Sequence, residues 1–158
     1  MNNLKAFLHS EVTVSVKLVR GSAALVEWSQ MSRKSPLPLK FHPRAGQILV
    51  CDFSGFTVPE IVKKRPVMVV SPRLPHRSGI VAVVPISLTA PIHGEPYVVR
   101  LSKNYHPDER DDLPCWAKCD LLLNIGLYRL DGFKIGRRKW ATPSAAPEDL
   151  EAVRIGAV

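Results

Sequence analysis

A mainly β domain, built as a small, strongly curved barrel with a C-terminal helix, is the fold this sequence predicts. Three observations predict it. Short apolar, β-type runs recur between glycine- and proline-bearing turns from Gly46 onward. One run, Gly79 to Ser87, is nearly all apolar, as in a strand buried on both faces. The best helical signal lies at Pro147 to Ile155.

The elements follow in order. Residues 1–42 read as an extension or linker, and residues 43–158 as the domain. Val12, Val14, Val16 and Leu18 alternate loosely, as a strand does, and Ala23 to Trp28 forms a helical turn. Ser29 to Pro43 is polar, basic and proline-bearing, which suits an extended linker. Met31 is an alternative start of translation, in which case residues 1–30 have no structural role.

Gln47 to Phe53 is the first strand of the domain, and Ser54 to Lys64 is a loop. Pro66 to Ser71 and Gly79 to Ser87 are the second and third strands, joined by a turn-rich connection. Tyr97 to Leu101 is the fourth, after which the charged segment Asn104 to Asp112 loops out. Cys115 to Lys118 is short and extended, and Asp120 opens a turn. Leu127 to Leu130 and Phe133 to Arg137 complete the sheet. The closing helix has a proline at its start, Glu148 and Asp149 in its first turn, Arg154 in its last and Gly156 just after. Leu150 and Val153 dock it on the sheet.

Charge narrows the partner. The 158 residues hold 22 Lys and Arg against 14 Asp and Glu, a net charge of +8. That balance favours an anionic partner, although solubility alone also accounts for a basic protein. The cations are segregated: positions 61–77 contain Lys63, Lys64, Arg65, Arg73 and Arg77 and no acid. Cys51, Cys115 and Cys119 form neither a disulfide framework nor a zinc spacing, so buried free thiols are expected. No apolar stretch reaches the ~20 residues of a membrane span. The first residues lack the plan of a secretory signal, so a cytoplasmic protein without membrane contact is expected.

Lys63-Lys64-Arg65-Pro66 carries the functional signal. Three cations run into a proline that opens a strand. The ring of Pro66 restricts the residue before it, so Arg65 is held at the strand mouth in a fixed direction. A cation on a rigid element suits phosphate binding better than one on a floppy tail.

Taken with Gly46 to Phe53, Lys64 to Ser71 and Val84-Pro85-Ile86-Ser87, this stretch resembles the MazF/PemK family of toxin endoribonucleases. Gly94 to Val99 and Cys119-Asp120 to Leu130 continue the likeness more loosely, over roughly residues 43–157. The resemblance implies an SH3-like barrel that pairs as a homodimer, similar to MazF, PemK and CcdB. It implies cleavage of single-stranded RNA at short sequences, with no metal or other cofactor. It also implies neutralisation by an acidic antitoxin protein and a cellular effect through loss of messenger RNA.

Metal-free RNA cleavage uses the substrate's 2′-hydroxyl as nucleophile. A proton must leave that oxygen, charge on the phosphorane must be stabilised, and the 5′-oxygen must be protonated. Arg65 matches the family's catalytic arginine, and its planar fork grips two phosphate oxygens. Ser87 stands where the family has a Thr or Ser, and its hydroxyl can donate to a non-bridging oxygen. The bland readings are an exposed cation beside a strand and a strand-end serine capping backbone groups. Thr89 replaces Ser87 if the register slips by one pleat.

Lys63, Lys64, Arg73 and Arg77 read as phosphate-positioning residues. His76 and His93 are loop candidates for the base, because this chain lacks the family's acid close before the arginine. Phe56 and Trp116 are candidates to stack on bases or to serve as core. Lys118 and Asp120 lie where family members line the groove. Two other classes stay open on sequence: a nucleic-acid-binding barrel without catalysis, and a toxin directed at a topoisomerase.

Overall fold

The computed structural model describes residues 42–157 apart from 74 and 78. The readings of residues 1–41, including the linker and the start at Met31, lie outside the described residues.

Among the described residues, nine strands and one α-helix follow in chain order. They are β1 Ile48–Cys51, β2 Arg65–Val69, β3 Ile80–Ser87, β4 Val98–Arg100, β5 Trp116–Lys118, β6 Leu123–Gly126, β7 Leu130–Asp131, β8 Phe133–Gly136, β9 Lys139–Ala141 and α1 Pro147–Gly156. Every named pairing is antiparallel, and the main sheet runs β4-β5-β3-β2-β1-β7 with β6 also on β3.

β3 is the spine. One edge pairs with β2, with Val67 opposite Pro85 and Val69 opposite Val83. Its other edge is shared: Ile80 to Val83 pair with β6, and Ile86 and Ser87 pair with β5. Pro85, which has no N–H to offer a ladder, falls in the gap between those partners. The edge changes partner there, and the sheet curls. This is the curved, mainly β architecture with a C-terminal helix that the sequence predicts.

Alternation along β1, β2 and β3 feeds two cores. Ile48, Met68 and Val84 face one, with Ile86, Ala117 and Val153 of α1. Leu49, Val67 and Val83 face the other, with Phe53, Ile125 and Leu130. Full burial of one such aliphatic side chain contributes about 1.5–3 kcal/mol. The third strand is therefore buried on both faces through Val83 to Ile86.

The helix begins at Pro147 and is pinned at both ends. Near its start, the buried carboxylate of Asp149 accepts hydrogen bonds from the Ser102 N–H, the Ser102 hydroxyl and the Tyr105 hydroxyl. At its end, Arg154 donates twice to the Val70 carbonyl. A Cβ on Gly156 would lie 2.8 Å from Val99 Cγ2, so the close approach of helix to β4 requires glycine there.

Two expectations are corrected. Leu127 to Leu130 is not a strand: Leu127–Arg129 is a 3₁₀ turn, and the strands beside it are β6 and the two-residue β7. The turn brings Arg129 back to donate to the carbonyls of Asp52 and Ser54, at 3.0 and 2.8 Å. Phe133 to Arg137 does not join the main sheet; β8 pairs with β9 as a separate ribbon.

Candidate active site

Arg65 opens β2 and Ser87 closes β3, so the antiparallel pairing brings them to the same end of the hairpin. Continuing the β2–β3 register by two residues aligns one with the other. Both line a cleft of about 230 Å³ together with Thr89, Tyr105, His106 and Glu109. Both also line an adjoining cleft of about 330 Å³ with Ile61, Lys118, Asp120 and Leu121. Arg65 is exposed and Ser87 half-buried, so each is open to a ligand. No ion pair among the described residues includes Arg65.

Ser87 Oγ accepts a hydrogen bond from the Thr89 N–H at 3.1 Å. The capping role is thus real, and it does not displace the other. An accepted bond fixes the oxygen and leaves the hydroxyl proton free to be donated into the cleft.

Asn104, Tyr105, His106 and Glu109, from the segment after β4, form one wall of the cleft. Asn104 is buried and fully used: Nδ2 donates to Glu109 Oε2 at 2.8 Å and to the Arg110 carbonyl, and Oδ1 accepts from the His106 N–H. Tyr105 is held from across the chain by Asp149 at 2.7 Å and by the Ala146 N–H at 2.8 Å. Burial pushes its phenol above the ordinary value. His106 Nδ1 accepts from the Asp108 N–H at 3.3 Å, which leaves Nε2 as the nitrogen that carries the proton in the neutral ring. The wall thus brings an imidazole donor and an oriented carboxylate to Arg65 and Ser87. Sequence reasoning missed both residues, because it read this charged segment as a loop leading away from the sheet.

The other expected residues divide. Thr89, Lys118 and Asp120 join the two clefts. Lys63 is exposed in the loop before β2. Lys64 points elsewhere: its Nζ is 3.4 Å from Asp52 Oδ2, and it lines a smaller cleft with Tyr128 and Arg129. The Ser54 N–H, more than Lys64, holds the Asp52 carboxyl below its ordinary value. Arg73, His76 and Arg77 are exposed on the β2–β3 connection. An antiparallel hairpin puts its turn at the far end from its open ends, here about 25 Å away along β3. The phosphate-positioning set expected over 61–77 is therefore split between two ends of the molecule.

Trp116 sits on β5 opposite Ser87 and is half-buried, outside the lining of either cleft. His93 is exposed and likewise outside them. Phe56 is held in the second core, edge-on to Phe53 and under the Arg129 guanidinium at 5.0 Å. The three cysteines are buried free thiols; burial pushes Cys51 up to about 12, and raises Cys115 and Cys119 as well. Thiols so shifted carry almost no thiolate and do no nucleophilic work.

A curled antiparallel sheet whose central hairpin opens onto an arginine- and hydroxyl-lined cleft defines a class of small, basic, mainly β protein. Residues 44–154 match the family described as PemK-like, MazF-like toxin of type II toxin-antitoxin system, and the chain belongs to that family. A solved MazF from Deinococcus radiodurans superposes with a TM-score of 0.54 at 21% identity, covering 74% of this chain and 94% of that one. A MazE-MazF structure from the same organism gives 0.51 at 20%, covering 74% and 93%. An endoribonuclease in complex with its cognate antitoxin, from Mycobacterial species, gives 0.50 at 18%, covering 73% and 91%. These likenesses show the fold. Among curated proteins none matches.

Proposed function

We propose that this chain is a toxin endoribonuclease that cuts single-stranded RNA at short sequences by attack of the 2′-hydroxyl, with no metal ion. The observation that carries the reading is the shared lining of one concave surface by Arg65, Ser87 and Glu109. Family membership supports the activity. Solved neighbours described with a cognate antitoxin, or as MazE-MazF, support an antitoxin that covers the clefts of a homodimer. No described helix is long and apolar enough to cross a membrane, which is compatible with action on cytoplasmic RNA.

In this reading the scissile phosphate sits between Arg65 and Ser87. The guanidinium takes two of its oxygens and holds the charge that builds on the phosphorane. Permanently protonated, it serves as electrostatic partner and not as base. The Ser87 hydroxyl donates to a non-bridging oxygen. The Glu109 carboxylate, with one oxygen fixed by Asn104, takes the 2′-proton through the other. The neutral His106 ring donates a hydrogen bond from Nε2–H to the departing 5′-oxygen as charge builds there, and that oxygen takes its proton from solvent. Lys118 and Asp120 line the adjoining cleft, where Asp120 accepts hydrogen bonds from a base edge.

Incubation of the purified protein with a long single-stranded RNA in EDTA tests this. Discrete fragments ending in 2′,3′-cyclic phosphate are expected. RNA that is retarded on a gel yet stays intact would leave a binding module, and inhibited DNA supercoiling would point to a topoisomerase as target.

A further inference from the structure

The β8–β9 ribbon stands outside the site described so far. From Gly132 to Pro147 the sequence carries Lys134, Arg137, Arg138 and Lys139 and no acidic residue. All four are exposed, and no ion pair among the described residues includes any of them. Trp140 lies directly across the ribbon from Lys134 and is 52% exposed. Phe133 is buried, so strand alternation turns the next residue, Lys134, and its partner Trp140 away from the core. A half-exposed indole beside an ammonium offers an open aromatic face next to a cation, the two features that take a base and its phosphate.

Two further observations point the same way. Arg138 has a φ of 60°, in the left-handed region that costs a non-glycine residue about 1 kcal/mol. Glycine would serve the turn without that cost, and arginine adds a cation at the ribbon tip. The ribbon's root also adjoins the cleft: the Phe133 ring packs edge-on against His106, with centroids 4.7 Å apart, and His106 lines the cleft wall.

We propose that the β8–β9 ribbon is a second RNA-binding surface, which takes the single strand as it leaves the cleft past His106. Trp140 stacks on a base, and Lys134, Arg137, Arg138 and Lys139 neutralise phosphates. The proposal rests on RNA as the ligand of the cleft, but its test reads binding and not cleavage. The alternative occupant is an acidic protein, and charge alone fits it. The outward Trp140–Lys134 pair favours a nucleobase.

The test uses the full chain and mixed-sequence 2′-O-methyl RNA, which lacks the nucleophile and stays intact. Affinity is measured over a range of salt for a 5-mer, which fills the cleft alone, and for a 15-mer. The wild type is expected to bind the 15-mer more tightly and to show quenched indole fluorescence. The quadruple variant K134S/R137S/R138G/K139S is expected to lose that gain, with a log–log salt slope shallower by about 2–3. Trp140→Ala is expected to bind the 15-mer about tenfold more weakly and to lose part of the quenching. Neither is expected to alter 5-mer binding or the melting temperature, which separates a lost contact from a lost fold. Equal affinity for the two lengths in the wild type, or unchanged slopes in the variants, would overturn the proposal. So would variants that keep RNA affinity and lose binding to polyglutamate, an outcome that assigns the ribbon to an acidic protein. Absence of cleavage by the wild type would strike the nuclease reading and leave this measurement standing.

Discussion

One end of the β2–β3 hairpin presents Arg65 and Ser87 within walled clefts; the other presents Arg73, His76 and Arg77 on an exposed loop. Both ends are basic. At the first, Pro66 and the β-ladder fix the arginine's backbone, a serine hydroxyl faces it, and the Asn104 to Asp111 segment supplies a carboxylate and an imidazole. At the loop, the charges stand in solvent, where each is screened. The difference teaches that positive charge attracts a phosphate, while chemistry needs a cation, a hydroxyl and a base held around one point.

Mutations at the two ends should therefore differ in kind. Arg65→Ala is expected to lower kcat/KM for RNA cleavage about a hundred- to a thousandfold, with melting unchanged, since it removes charge stabilisation specific to the transition state. Glu109→Gln is expected to cost about a hundredfold, since the amide cannot take the 2′-proton. Ser87→Ala is expected to cost about tenfold, the worth of one hydrogen bond in a partly dry site. Arg73→Ser with Arg77→Ser should lower kcat less than threefold and act through KM, an effect that vanishes at high salt. If the loop pair costs more in kcat than Ser87→Ala, the distinction between the ends is wrong.

The wall itself allows a sharper test. Asp149→Ala removes the acceptor that pins Tyr105 and Ser102. It is expected to destabilise the fold by about 3 kcal/mol and to lower activity at temperatures where the protein remains folded.

How much of this was legible follows from where each signal is stored. β1, β2 and β3 are written locally, in apolar runs bounded by Gly46, Pro66 and Gly79, and the helix in its Pro147 start and its charges. That Arg65 and Ser87 share one end of the hairpin was legible because each sits at a strand end that local pattern defines. β6 was not: Leu123-Asn124-Ile125 is too short to stand out, and Leu127 to Leu130 looks more β-like until Arg129 turns back to Asp52. β9 escaped because its three residues, Lys139 to Ala141, form no apolar run of their own. His106 and Glu109 escaped for a deeper reason. Their segment faces the cleft because Asp149, 44 residues further on, holds Tyr105, and no local pattern encodes a contact at that separation. The split of the basic set had the same source, since charge along a chain does not state which end of a hairpin it will occupy.

The account's central claim is that Arg65 and Ser87 act on one scissile phosphate. A double-mutant cycle on single-turnover cleavage of a defined RNA measures this directly. Groups that serve one phosphate should couple, so Arg65→Ala/Ser87→Ala is predicted to be little slower than Arg65→Ala alone. A double variant whose loss equals the product of the two single losses would mean that the residues act independently, and would contradict the account.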